Sequence, residues 1–181
     1  THRGSSAASD VYKRQSLGTY QQLVSASLSI IKKAENYFTE KDINLNELTK
    51  MRLIEDMAPL TFQVFSIVHH SVGAIEALKS GEFGPPNTPE NLCFQDLVSM
   101  LEDANSSLNE MSEEEINSLA GGEVIFKMGQ IEWPFTSEDF ILSFSLPNFY
   151  FHVTTMYNMF RSKGLNICLL YTSPSPRDTA L

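Results

Sequence analysis

The chain has 181 residues, 42% of them apolar, with 22 Asp and Glu against 13 Lys and Arg, a formal net charge of -9. So acidic a chain repels phosphate backbones and anionic lipid unless its cations cluster, and they do not, which argues against nucleic-acid and membrane-surface partners. No apolar run approaches the roughly 20 residues of a membrane span.

The two ends read as DNA rather than as selected protein. Asp10-Val11-Tyr12-Lys13-Arg14-Gln15 back-translates to a sequence whose reverse complement, read from its second base, encodes Cys168-Leu169-Leu170-Tyr171-Thr172-Ser173. One element in inverted orientation therefore flanks the insert, and it looks like a transposase adapter of sequencing-library preparation. The expectation is that residues 1–15 and 168–181 are adapter-derived and that residues 16–167 form a single native domain, long enough for a core of its own. Setting aside Arg3, Lys13, Arg14 and Arg177, with Asp10 and Asp178, leaves 9 basic and 20 acidic residues and a net charge of -11. Cys93 is then the one cysteine left. That rules out an internal disulfide and a thiolate-rich metal site, and fits a reducing, cytoplasmic setting.

Along the retained chain, Tyr20, Leu23, Val24, Leu28, Ile31, Ala34 and Phe38 recur at steps of three and four, predicting a helix that ends near Glu40. Residues 41–46 read as a loop, and Leu48 to Asp56 as a helical turn leading into Pro59. Leu60, Val64, Ile67, Ser71, Ile75 and Leu78 form the stripe of a second helix that stops before Gly81. Residues 81–89, rich in Gly and Pro, read as a connector. Phe94, Leu97, Leu101, Ala104 and Leu108 mark a third helix, and Glu113 to Glu115 a solvated loop or helix face. After Gly121-Gly122, Val124 to Met128 and Gln130 to Phe135 predict a hairpin about Gly129. Ser137, followed by Glu138 and Asp139, is a candidate N-cap with acids in the first turn. It opens a fourth helix that runs to Arg161 with a kink at Pro147. The expected class is all-α: a four-helix bundle with a short β-hairpin before the last helix.

Bundle chemistry is built from inward polar side chains on different helices. At about 100° per residue, His70 falls at the edge of the second helix's apolar stripe with Gln63, Ile67 and Ala74, while His69 points the other way beside Phe62 and Phe65. On the last helix Asn148 and His152 project together, one turn apart. An i, i+4 pair facing a histidine from another helix is one way to hold a divalent metal, although asparagine is a poor zinc or nickel ligand. A lone bundle histidine is more often a hydrogen-bonded core residue than a ligand. Arg52 and Asp56, four apart, are either a surface ion pair or, for Asp56, an acid or ligand at the mouth of the second helix. Tyr150, Tyr157 and Trp133 read as core or hairpin packing, and Met156 and Met159 as gap-fillers. Cys93 has no His or Lys neighbour in sequence to activate it and is not a nucleophile candidate. Phosphate loops, nucleophile elbows and paired-cysteine motifs do not occur.

The run Leu146-Pro147-Asn148-Phe149-Tyr150-Phe151-His152-Val153-Thr154-Thr155, with Arg52-Leu53, Asp56-Met57, Gln63 and Gly73 upstream, resembles the family of unknown function DUF1993 over essentially all of residues 16–167. That family is grouped with the DinB/YfiT-like superfamily of four-helix bundles, read as metalloenzymes. The resemblance implies a metal site with His70 as the second-helix ligand and His152 as the last histidine of a His-x-x-x-His pair, whose first position here is Asn148. It implies a divalent metal, zinc or nickel, and a natural chain that extends a little beyond Ile167. By analogy with the superfamily, the function expected is metal-dependent hydrolysis or transfer to a small thiol. The alternatives are a metal-free bundle that binds an unidentified small molecule through Asn148, His152 and Gln63, or a structural homodimer.

Overall fold

The computed structural model describes residues 16–85 and 87–168, and the adapter-like segments lie outside them except for Cys168, which is exposed. Helix α1 spans Leu17–Glu40, α2 Leu45–Leu48, α3 Leu60–His69 and α4 Val72–Ser80. Strand β1 (Glu82–Phe83) follows, then α5 (Phe94–Glu110), α6 (Glu113–Ser118) and the hairpin β2 (Glu123–Met128) and β3 (Ile131–Thr136). The chain closes with α7 (Ser137–Asp139), a π-helical segment (Phe140–Ser145) and α8 (Leu146–Ser162).

The long helices form because their apolar residues return every three or four positions. Tyr20, Val24, Ile31, Ala34 and Phe38 of α1 are buried, as are Phe94, Leu97, Leu101, Ala104 and Leu108 of α5. Helix α1 packs on α5 and α8, and α3 packs on α5 and α8, so one core runs between them. Its largest fully buried side chains include Tyr20, Phe38, Phe94, Phe140, Phe149 and Phe160. Each removes enough apolar area from water to contribute about 1.5–3 kcal/mol, so the core rather than the exposed ion pairs holds the helices together. Among the described residues no helix is long and apolar enough to cross a membrane.

Five features differ from the sequence reading. The protein is mainly helical but not all-α: Glu82–Phe83, expected as connector, pairs in parallel with Ile125 and Phe126 and turns the hairpin into a three-stranded sheet. The hairpin itself has the expected place, with Met128 opposite Ile131 across a two-residue turn and Gly129 at φ 62, a left-handed conformation that glycine adopts without strain.

The second helix is two helices. Ser71 Oγ donates to the Ile67 carbonyl at 2.7 Å, while Ser71 N–H turns to Val68 O at 3.2 Å. The hydroxyl thus competes for the carbonyl that the ladder would use, and the helix breaks after His69.

The helical turn expected over residues 48–56 lies earlier, at α2, where Asn44 accepts from Asn46 N–H as N-cap; the segment after it is turns and bends. The N-cap before α7 is Thr136, which accepts from Asp139 N–H at 3.1 Å, and Ser137 is the first helical residue.

The distortion near Pro147 is a π-helical stretch one turn earlier. Leu146 N–H reaches back five residues to Ile141 O. Pro147, at the start of α8, has no N–H with which to restore the tighter ladder.

Candidate functional site

The break after α3 and the π-helical segment before α8 meet at His70. Ser145, the last π-helical residue, donates its hydroxyl to the His70 carbonyl at 2.7 Å and accepts from Tyr20 O–H at 2.8 Å. Three elements far apart in sequence are thereby pinned at one buried point, and the point fixes the backbone of a histidine. The His70 side chain is 7% exposed, and its Nδ1 is buried without a hydrogen-bond partner among the described residues. An orphaned buried polar atom of this kind is uncommon and calls for a reason.

His152, on α8, is 8% exposed, and its ring lies 5.8 Å from that of His70 at an interplanar angle of 15°. Its Nδ1 is 2.8 Å from Gln63 Oε1, and Gln63 Nε2 donates to the Ala58 carbonyl at 3.1 Å. A carbonyl can only accept, so the Gln63 amide nitrogen must face Ala58 and its oxygen must face His152. His152 therefore carries its proton on Nδ1, and Nε2 is the ring's lone-pair nitrogen.

His69 belongs to the same cluster. The sequence places it on the opposite side of the helix, but the helix ends at His69, so the 100° rule no longer relates the two neighbours. Its ring lies 5.3 Å from that of His70, stacks on Phe83 at 4.3 Å, and its Nε2 donates to Gly84 O at 2.9 Å. Strand β1, invisible in the sequence, supplies Phe83, and Gly84 is the residue that follows it. Phe62 and Phe151 approach His152 edge-on, and Phe83 and Phe144 flank His70.

This apolar housing governs protonation. Burial pushes His70 down to about 3, with the neighbouring His69 and His152 acting in the same direction. Burial also pushes His152 down to about 4, with His69 adding to it. His69 is lowered by burial, in part offset by its bond to Gly84. At neutral pH His70 and His152 are both neutral imidazoles.

The remaining site candidates divide. Gln63 is 2% exposed and joins the histidines. Asn148 is half-buried, and its amide nitrogen donates to Phe144 O at 2.7 Å, the carbonyl one turn back. Arg52 and Asp56 are both exposed in the turns before α3. They do not form the ion pair expected of one helical face, because that segment is not helical; Arg52 donates to Met57 O instead. Tyr150 and Trp133 are 46% and 51% exposed, so they are not core residues, although Trp133 does stack on its cross-strand partner Phe126. Met156 and Met159 fill the core as expected. Sequence reasoning missed His69, Tyr20, Ser145 and Phe83. The adjacent His69-His70 pair was the one signal that pointed to the first of them.

The donor set is a poor match to a divalent metal. Catalytic zinc sites draw three protein ligands and leave a position for water. Among the described residues no three His, Cys, Asp or Glu side chains, the three clustered histidines included, are placed so that they could hold one metal ion. The nitrogens on offer are those of His70 and His152, one of which already serves Gln63.

No curated protein matches the chain. In structure it is similar to a DinB family member protein from Shewanella denitrificans, with a TM-score of 0.76 and 19% identity, over 94% of this chain and 96% of that one. That likeness is one of fold. The sequence profile of the domain of unknown function DUF1993 matches residues 12–169, and the chain belongs to the DUF1993 family.

Proposed function

We propose that this chain is a DinB-like four-helix bundle that binds a small molecule at His70, His152 and Gln63, in a reducing cytoplasmic setting. The observation that carries the reading is the Gln63–His152 hydrogen bond in its apolar housing. It fixes one imidazole as a neutral group with one nitrogen committed and the other able to accept. A general base is most effective when its pKa lies near the working pH. Imidazoles held at about 3 and about 4 are weak bases at neutral pH, so the arrangement suits hydrogen-bond recognition better than proton transfer. Buried, oriented polar groups in an aromatic surround are the usual make-up of a small-ligand site.

A thermal-shift screen of the full chain tests this. Ligands that raise the melting temperature should lose that effect in Gln63→Leu and His152→Gln, and a chelator should leave the melting temperature unchanged. Hits that act equally on both variants would refute the assignment.

One observation favours a second reading. The orphaned Nδ1 of His70 beside His152 would gain a partner if the two imidazoles shared a divalent ion, as the superfamily resemblance implies. Elemental analysis of the protein purified without a histidine tag, compared with His70→Ala and His152→Ala, decides between the two. Near-stoichiometric metal that both variants lose would establish the metal site.

A further inference from the structure

A cleft of about 490 Å³ opens beside the histidine site, lined in part by Lys50, Arg52, Thr61, Phe62, Asn91 and Leu92. Phe62 is the link: the same ring approaches His152 edge-on at 5.7 Å. Pro59 and Thr61 also line the cleft, so its wall is the first turn of α3, the turn that carries Gln63.

The charge of the lining runs against that of the chain. Acids outnumber bases 22 to 13 over the whole sequence, yet the lining holds two cations and no Asp or Glu. Three lysines elsewhere are ion-paired: Lys32 with Glu102, Lys79 with Glu76 and Lys127 with Glu82. Among the described residues neither Lys50 nor Arg52 is in an ion pair. Arg52 is anchored by one bond to the Met57 carbonyl, which leaves further N–H donors of its planar guanidinium for another acceptor. Asn91 adds a polar group, Thr61 having given its hydroxyl proton to the Thr49 carbonyl, and Pro59, Phe62 and Leu92 add apolar lining.

We propose that this cleft is an anion subsite. It receives the carboxylate, phosphate or sulfonate of a small amphipathic molecule whose apolar part lies on Phe62, toward His152. The proposal rests on the binding function above and gives that function a ligand class.

The test uses two fluorescent probes on the full chain, the anion 8-anilinonaphthalene-1-sulfonate and its neutral analogue N-phenyl-1-naphthylamine, while the histidine ring signals are followed by NMR. The sulfonate should bind saturably and more tightly than the neutral probe. Lys50→Gln/Arg52→Gln should weaken the sulfonate roughly tenfold, as loss of charge-assisted contacts would. Lys79→Gln/Lys127→Gln, which changes net charge equally at a distance, should leave it unchanged. Lys50→Gln alone, which removes no hydrogen bond within the described residues, gives a smaller loss in the same direction and guards against a folding defect. Equal affinity for both probes, or a sulfonate affinity that Lys50→Gln/Arg52→Gln does not alter, would overturn the subsite. Charge-selective binding that moves the His152 ring signals supports both cleft and histidine site. Charge-selective binding that leaves those signals still upholds the cleft as an anion site and counts against the histidine reading.

Discussion

Gln63 Oε1 and His152 Nδ1 lie 2.8 Å apart although 89 positions separate them in the chain. The contact joins α3 to α8, sets the tautomer of a buried histidine, and is itself set by the Ala58 carbonyl behind the glutamine. Replacing Gln63 by Leu removes the acceptor and leaves the His152 N–H buried without it. The expected loss of stability is about 1–3 kcal/mol, to be read from urea unfolding. Gln63→Glu should instead raise the pKa of His152, since a carboxylate in hydrogen-bond reach favours imidazolium; an NMR titration reads the direction.

Acidification should weaken the fold before the carboxylates begin to titrate. An unfolded histidine has a pKa near ~6.5, whereas His70 and His152 sit at about 3 and about 4 when folded. Between those values the unfolded chain binds more protons than the folded one. The stability these neutral rings contribute is therefore full above pH ~6.5 and falls as pH drops toward the folded values, by up to ~1.4 kcal/mol per pH unit for each ring. Chemical denaturation at steps from pH 7 to pH 5 measures the slope. His70→Asn and His152→Gln should each flatten it, and an unchanged slope in both would contradict the protonation states described above.

Ser145 is expected to matter more than an ordinary buried serine, because its hydroxyl makes two long-range bonds, to Tyr20 and to His70 O. Ser145→Ala should cost about 1–2 kcal/mol and Tyr20→Phe, which removes only one of the two, less. Thermal melts of both variants give the order; the reverse order would show that Tyr20 is held mainly by other contacts.

Much of this fold was legible because long helices advertise themselves. The stripes from Tyr20 to Phe38 and from Phe94 to Leu108 are the buried faces of α1 and α5, since periodicity is local and the core only has to accept it. The site was half legible. Gln63, His70 and His152 could be nominated from their polarity on apolar faces, but the features that assemble them are not periodic. The break after His69 comes from a single hydroxyl, that of Ser71, capturing a carbonyl. The π-helical segment shifts the register of all that follows it, and β1 exists only because a distant strand offers an edge to Glu82 and Phe83. For the same reason Arg52 and Asp56, spaced as a helical pair, are not one.

Chelation is the prediction that separates the two functional readings. With EDTA present throughout purification, the melting temperature and the position of the His152 ring signals should stay where they are. A drop that added zinc reverses would favour the shared-ion arrangement of His70 and His152.

The most direct single measurement is a long-range ¹H–¹⁵N spectrum of the imidazoles in the full-length protein at pH 6, recorded as purified. The expected result is a neutral His152 with its proton on Nδ1 and a neutral His70, neither nitrogen pattern bearing the mark of a bound metal. An imidazolium at either position, or a His152 protonated on Nε2, would contradict the hydrogen-bonding histidine site at its foundation.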